Sequence, residues 1–235
     1  MENKIKMKIE KIMGYNVQRK KVKNINLRIN QNMDIYISAP FNLHKDYIEK
    51  FICSKEKWIK KVLEKLEEHK NKKKELVYGT GEIHRLLGKE YVLIVKNATS
   101  NTVNLHREKN EIILYTNYKN IEDRKKIMDI WYFQCAKRIF SDIMEKWLKI
   151  LNENIEHLSI KPMKTRWGSC NYNKRYINLN TELIKRTPFE IEYVVLHELA
   201  HLKYPNHGKS FYNYMERYMP NYRTAEKMLN AKHYY

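Results

Sequence analysis

The stretch Val194-Val195-Leu196-His197-Glu198-Leu199-Ala200-His201 decides how this chain is read. Residues four apart in an α-helix share a face, so His197 and His201 aim two imidazoles at one point. Glu198 stands one step round the helix, within reach of a water held there without being a ligand itself. Two histidines for a metal and a carboxylate for the water's proton are the parts of a hydrolytic zinc site. The competing reading is a buried helix whose histidines only satisfy their hydrogen bonds. The flanks argue against it. Thr187-Pro188-Phe189-Glu190 reads as a capping box with proline in the first helical turn, so a helix is expected to start there and run over about 187–203. Ile191, Val194, Val195, Leu196, Leu199 and Leu202 are apolar enough to bury it, and Pro205-Asn206 breaks it.

A third histidine, His207, follows the break. The spacing of His197, His201 and His207 is that of HExxHxxGxxH, with Tyr204 in the glycine position. Without the glycine the turn needs another route: Tyr204 precedes a proline and is pushed out of helical geometry, and Asn206 tolerates a left-handed conformation. A catalytic zinc usually takes three protein ligands plus water, which favours His207 as the third. Glu216 or Glu226 from a following helix is the alternative.

Upstream, Thr165-Arg166-Trp167-Gly168-Ser169-Cys170 and Ile177-Asn178-Leu179-Asn180 flank a polar, Asn-rich turn, which predicts a β-hairpin before the zinc helix. An edge strand there would pair with an extended polypeptide through main-chain hydrogen bonds. Arg166, Trp167 and Tyr204 are the substrate-cleft candidates. Arg166, Tyr204, Tyr212 and Tyr214 have the chemistry to support an oxyanion. Asn178 or Asn180 is suited to orienting a ligand histidine. Cys170, close to the expected cleft, reads as a small packed residue rather than a ligand.

TRWGSC, the following INLN and VVLHELAHLKYPNHGKSF closely resemble the YgjP-like metallopeptidases, relatives of the SprT-like proteases. Residues 20–29, residues 35–40 and Lys57-Trp58-Ile59 are similar to that family's opening, so the resemblance spans nearly the whole chain. It implies a zincin-type catalytic domain, Zn2+ as cofactor, His197, His201 and His207 as ligands, Glu198 as base and a polypeptide substrate.

Composition bounds the alternatives. The 235-residue chain has 46 Lys and Arg against 27 Asp and Glu, a formal net charge of +19. Such a surface attracts polyanions, so nonspecific nucleic-acid binding is a candidate partner interaction. A DNA-associated protease or a metal-binding interaction module in nucleic-acid maintenance is therefore the alternative function. The basic residues are spread along the chain, however, and no nucleic-acid-binding motif accompanies them. Cys53, Cys135 and Cys170 are odd in number and show no CxxC pairing, which points to a reducing, cytoplasmic setting. No apolar run reaches membrane-spanning length.

Periodicity supplies the organisation, an α+β fold with no internal repeat expected. Ile25, Leu27 and Ile29, then Met33, Ile35 and Ile37, alternate about Asn30-Gln31-Asn32 as a hairpin. A helix over about 43–70 follows, with Trp58, Val62 and Leu66 on its apolar stripe and Lys70-Asn71-Lys72-Lys73-Lys74 as the candidate linker. Strands are expected at 82–95, with a turn at Gly88-Lys89, and at 102–106, 111–116 and 157–161. A long helix over 121–151 carries the apolar row Met128, Trp131, Cys135, Ile139, Ile143 and Trp147, and helices at 209–219 and 221–232 close the chain. Residues 1–117 are expected to form a β-rich amino-terminal part with one long helix, and 118–235 a zincin-like catalytic domain.

Overall fold

A computed structural model describes residues 8–30, 32–72 and 76–230. The chain is α+β and divides into two compact units, 1–75 and 76–233. The boundary expected at 117/118 therefore falls inside the second unit. The physical reason is the core: Tyr78, Leu86, Tyr91, Leu93, Ile112 and Leu114 bury their side chains in one cluster with the helices that follow them. Of the expected linker, Lys70, Asn71 and Lys72 close a helix and residues 73 and 74 lie outside the described residues, as does Gln31 of the first expected turn.

In the first unit, β1 (Lys8–Ile12), β2 (Tyr15–Lys20), β3 (Asn26–Ile29) and β4 (Ile35–Pro40) form a sheet in the order β1-β2-β4-β3, with β2 and β4 parallel. Period-two alternation turns Val17, Ile37 and Ala39 to the buried side and Gln18 and Ser38 to the other. Helix α1 (Lys45–Lys72) contributes Ile48, Ile52 and Ile59 to the buried set. Trp58 is instead 47% exposed, so the apolar stripe is not the one the sequence suggested. The bulky ring outweighed the β-branched residues at the correct helical spacing.

The second unit opens with β5 (Ile83–Leu86), β6 (Lys89–Lys96), β7 (Thr102–His106) and β8 (Glu111–Tyr115), ordered β5-β6-β8-β7, with β6 and β8 parallel. Helix α2 (Ile121–Leu151) follows, capped by the Asn120 side chain on Asp123 N and closed by Asn152 in the left-handed region, φ 51°. Its most buried row is Met128, Tyr132, Ala136, Phe140, Met144, Trp147 and Leu151. Trp131, Cys135, Ile139 and Ile143, expected at its centre, are half-buried beside it, so the apolar face is broader than a single row.

A third sheet, β10-β11-β9, comprises β9 (His157–Lys161), β10 (Gly168–Asn171) and β11 (Tyr176–Asn180). The expected hairpin is present as the antiparallel pair β10/β11, and β10 is an edge strand. A 3-10 helix (Thr181–Lys185) leads into α3 (Pro188–Ala200), followed by α4 (Lys209–Tyr218) and α5 (Tyr222–Asn230). Among the described residues, no helix is long and apolar enough to cross a membrane.

Candidate metal centre

Helix α3 starts at the expected capping box. Thr187 Oγ1 accepts from Glu190 N at 3.3 Å, and the Glu190 carboxylate accepts from Thr187 N at 3.0 Å. The helix ends earlier than expected, with His201 as its C-cap. The chain tightens there, with Leu202 N donating to Leu199 O and Tyr204 N to Ala200 O. This turn makes the reversal that a glycine at position 204 would otherwise serve. It places His207 Nε2 3.0 Å from His197 Nε2. Ligand nitrogens of His197, His201 and His207 lie within 4.8 Å of one another. Among the described residues neither Glu216 nor Glu226 joins that cluster, although Glu226 borders a cavity beside it.

These three side chains fit a metal. Tetrahedral ligation at Zn–N distances of about 2.0–2.1 Å puts two ligand nitrogens roughly 3.3 Å apart, close to the His197–His207 separation. A ligand imidazole must be neutral. Burial, reinforced by the other two histidines, lowers the His197 pKa to about 3, and burial lowers that of His201 as well. His201 Nδ1 lies 3.2 Å from the Tyr204 carbonyl, which fixes the ring and leaves Nε2 for a metal. That orienting role was expected of Asn178 or Asn180 and belongs to a main-chain carbonyl.

Beneath the triad lies Phe211, 1% exposed, its ring centroid 5.0, 4.9 and 4.7 Å from those of His197, His201 and His207. Sequence reasoning did not single it out. Its signal is a large apolar residue one turn after the third histidine, on a helix whose start is set by that histidine's loop.

Glu198 is 6% exposed. Burial pushes its pKa up to about 8, against the opposing field of Arg166; a bound dication would reverse this trend. Edge strand β10 runs directly over it. A Cβ on Gly168 would stand 2.7 Å from Glu198 Oε1 and 2.8 Å from its Cγ, so only glycine lets the strand approach this closely.

The loop entering β10 is organised by Asn180, 4% exposed. Its side-chain amide donates to the carbonyls of Met163 and Arg166, both at 2.9 Å, and its backbone N–H donates to Trp167 O at 2.8 Å. Arg166 and Trp167 are thereby presented beside Glu198. Trp167 lines the adjacent cavity while the buried Arg186 guanidinium lies 4.8 Å from the centre of its ring. The Tyr204 ring, expected in the cleft, packs on Tyr214 at 5.4 Å, and Tyr212 lies 6.3 Å from His207. Cys170 is half-buried, its thiol pushed up to about 11 by burial and then by the Glu198 charge, as suits a packed residue.

The YgjP-like metallopeptidase domain matches residues 23–232, nearly the whole chain. The chain belongs to the YgjP-like metallopeptidase family. Family membership makes it a metallopeptidase, with a metal cofactor and polypeptide substrates. It is also similar to the solved metallopeptidase zymogen of Methanocaldococcus jannaschii jannalysin, at 30% identity over 38% of this chain and 92% of that one, TM-score 0.35. A second solved zymogen, Pyrococcus abyssi abylysin, is 25% identical over 38% of this chain and 90% of that one, TM-score 0.36. No curated protein matches the chain. The comparisons lend the nucleic-acid alternative no support.

Proposed function

We propose that this YgjP-like metallopeptidase is a zinc enzyme that hydrolyses peptide bonds, with His197, His201 and His207 as ligands and Glu198 as general base. The observation that supports this reading best is the convergence of three imidazoles within 4.8 Å beside a buried carboxylate. Bound zinc supplies Lewis acidity and lowers the pKa of a coordinated water to about 7. With the metal held by the three histidines, the Glu198 carboxylate would accept the proton of the attacking water and return it to the departing amine. Its burial keeps bulk water from competing for the proton. Arg166 and Tyr212 are the donors we assign to the developing oxyanion. The exposed edge of β10 accepts the polypeptide main chain as an added strand.

The experiment is metal analysis of protein purified without chelators, alongside turnover of quenched fluorescent peptides. About one zinc per chain is expected, as for a mononuclear catalytic site. Glu198→Gln should keep that zinc and lose about 10²–10⁴-fold in kcat, and His207→Ala should lose most of the zinc. Unchanged turnover in Glu198→Gln would eliminate Glu198 as the base. A folded wild type without stoichiometric metal would sink the zinc assignment.

A further inference from the structure

A cavity of about 200 Å³ opens beside Glu198 and His197. At about 30 Å³ per water, that is the room of some six or seven water molecules, the scale of one amino-acid side chain. Trp167, Val194 and Leu229 give it apolar walls. Tyr193, Glu226 and Asn230 add polar groups to its lining. Val194 sits one turn before His197 on α3, so a side chain lodged here belongs to a residue next to the bond being cut.

Besides Glu198, the lining holds one more carboxylate, Glu226. Glu226, on α5, is half-buried and accepts a hydrogen bond from the Tyr193 hydroxyl, whose pKa is driven upward by burial and then by the Glu226 charge. That hydroxyl helps hold the carboxylate in place. Arg223, the basic residue one turn back on α5, is exposed and donates to the Tyr222 hydroxyl, and it also feels the charge of Glu226 from the solvent side. In a chain with 46 Lys and Arg against 27 Asp and Glu, a carboxylate placed at the cleft runs against composition.

We propose that this cavity is the substrate's side-chain pocket, and that Glu226 makes it select a basic residue, lysine or arginine. The inference rests on the assignment of Glu198 and the histidine triad as the reaction centre. A lysine or arginine stem lies along Trp167, Val194 and Leu229, and its cationic head pairs with Glu226. An acidic side chain entering the pocket would meet Glu226 and Glu198 together and be rejected by like charge.

The test uses the zinc-loaded full chain and a degenerate peptide library, with cleavage sites read by mass spectrometry. Lysine and arginine should be enriched at one position flanking the cut. Glu226→Gln, nearly isosteric, should reduce that enrichment about tenfold relative to leucine. Glu226→Lys should turn it into a preference for aspartate and glutamate, a gain that misfolding cannot imitate. A wild type without basic preference, or one whose preference survives both substitutions, overturns the pocket assignment while leaving the zinc centre standing. Cleavage by Glu198→Gln equal to wild type, or none by the wild type, overturns the reaction centre and the pocket with it.

Discussion

Strands β1–β4 with α1 and strands β5–β8 with α2 are built to one plan. Each is an antiparallel hairpin, then a second hairpin whose last strand pairs parallel to the second, then a long helix. Even the first turns agree: Met13 and Gly14 have φ 51° and 82°, Leu87 and Gly88 φ 52° and 78°. Both are two-residue turns with positive φ at each central position, the form that suits strand twist. Their sequences keep a trace, Ile9-Glu10-Lys11-Ile12-Met13-Gly14 against Ile83-His84-Arg85-Leu86-Leu87-Gly88. What separates the copies is what the turn touches. A Cβ on Gly14 would meet nothing within 4 Å, whereas one on Gly88 would stand 2.6 Å from Thr187 Cγ2. Leu87 N and Gly88 N also donate to the carbonyls of Ile184 and Lys185. The second copy thus grips the cap of the helix that carries His197 and Glu198. A common supersecondary plan becomes a scaffold for chemistry through one turn.

The interiors of the two copies differ as well, and here the largest effect is expected. Four residues before the turn glycine and five after it, the first copy has Glu10 and Arg19, the second His84 and Leu93. Arg19, 8% exposed, donates to Glu10 at 2.6 Å and to the carbonyls of Pro40 and Leu43 at 2.9 and 2.7 Å. Arg19→Ala strands the half-buried Glu10 and leaves the carbonyls of Pro40 and Leu43 without their donor, so it should cost about 3 kcal/mol in urea unfolding. Combining Arg19→Met with Glu10→Leu should recover part of that loss and make the first interior resemble the second. A cost for Arg19→Ala below about 1 kcal/mol would place the pair with exposed ion pairs and undo this contrast.

The turns provide a matched pair of intermediate size. Gly14→Ala and Gly88→Ala impose the same left-handed conformation on a side chain, at about 1–2 kcal/mol each. Only Gly88→Ala adds the collision with Thr187, worth about another 1–3 kcal/mol. It should also loosen the capping box and, if the proposed site is right, lower kcat in the peptide assay, because the helix that carries His197 and Glu198 begins there. Equal destabilisation by the two substitutions would mean that the β5–β6 turn does not brace α3.

Much of this was legible in the sequence, for reasons that the residues explain. The α3 cap, the bounds of α2 and strands β7 and β9 follow from local signals: Asn120 and Thr187 as caps, alternation in Thr102–His106 and His157–Lys161. The histidine spacing gave the site its shape before any fold was known. The shared plan was not legible, because four differences in six residues, Glu10 against His84 among them, hide the turn match, and strand order is a non-local property. Strands β1 and β2 were not anticipated, since Lys8–Ile12 and Tyr15–Lys20 are too rich in lysine and polar residues to look half-buried. The roles of Phe211, Asn180 and Gly168 depend on distances between elements. Each is a plain residue in sequence, and each gains its meaning where two chain segments close on one another.

The smallest expected effect is a difference in acid sensitivity between the copies. His84, 3% exposed, stands where the first copy has Glu10. Burial lowers its pKa, against the raising influence of Glu82, whose Oε2 lies 3.6 Å from His84 Nε2. The folded state therefore holds fewer protons on this residue than the unfolded chain just below the ordinary histidine pKa of about 6.5. Stability that is present above that pH is lost as the pH falls through it. His84→Gln cannot titrate, so its unfolding free energy should decline less than that of the wild type between about pH 7 and pH 5. Arg19 stays charged throughout this range, so Arg19→Met should leave the same slope unchanged. Parallel slopes for wild type and His84→Gln would show that Glu82 offsets the burial penalty, and that the polar pair inside the second copy is as insensitive to acid as the arginine inside the first.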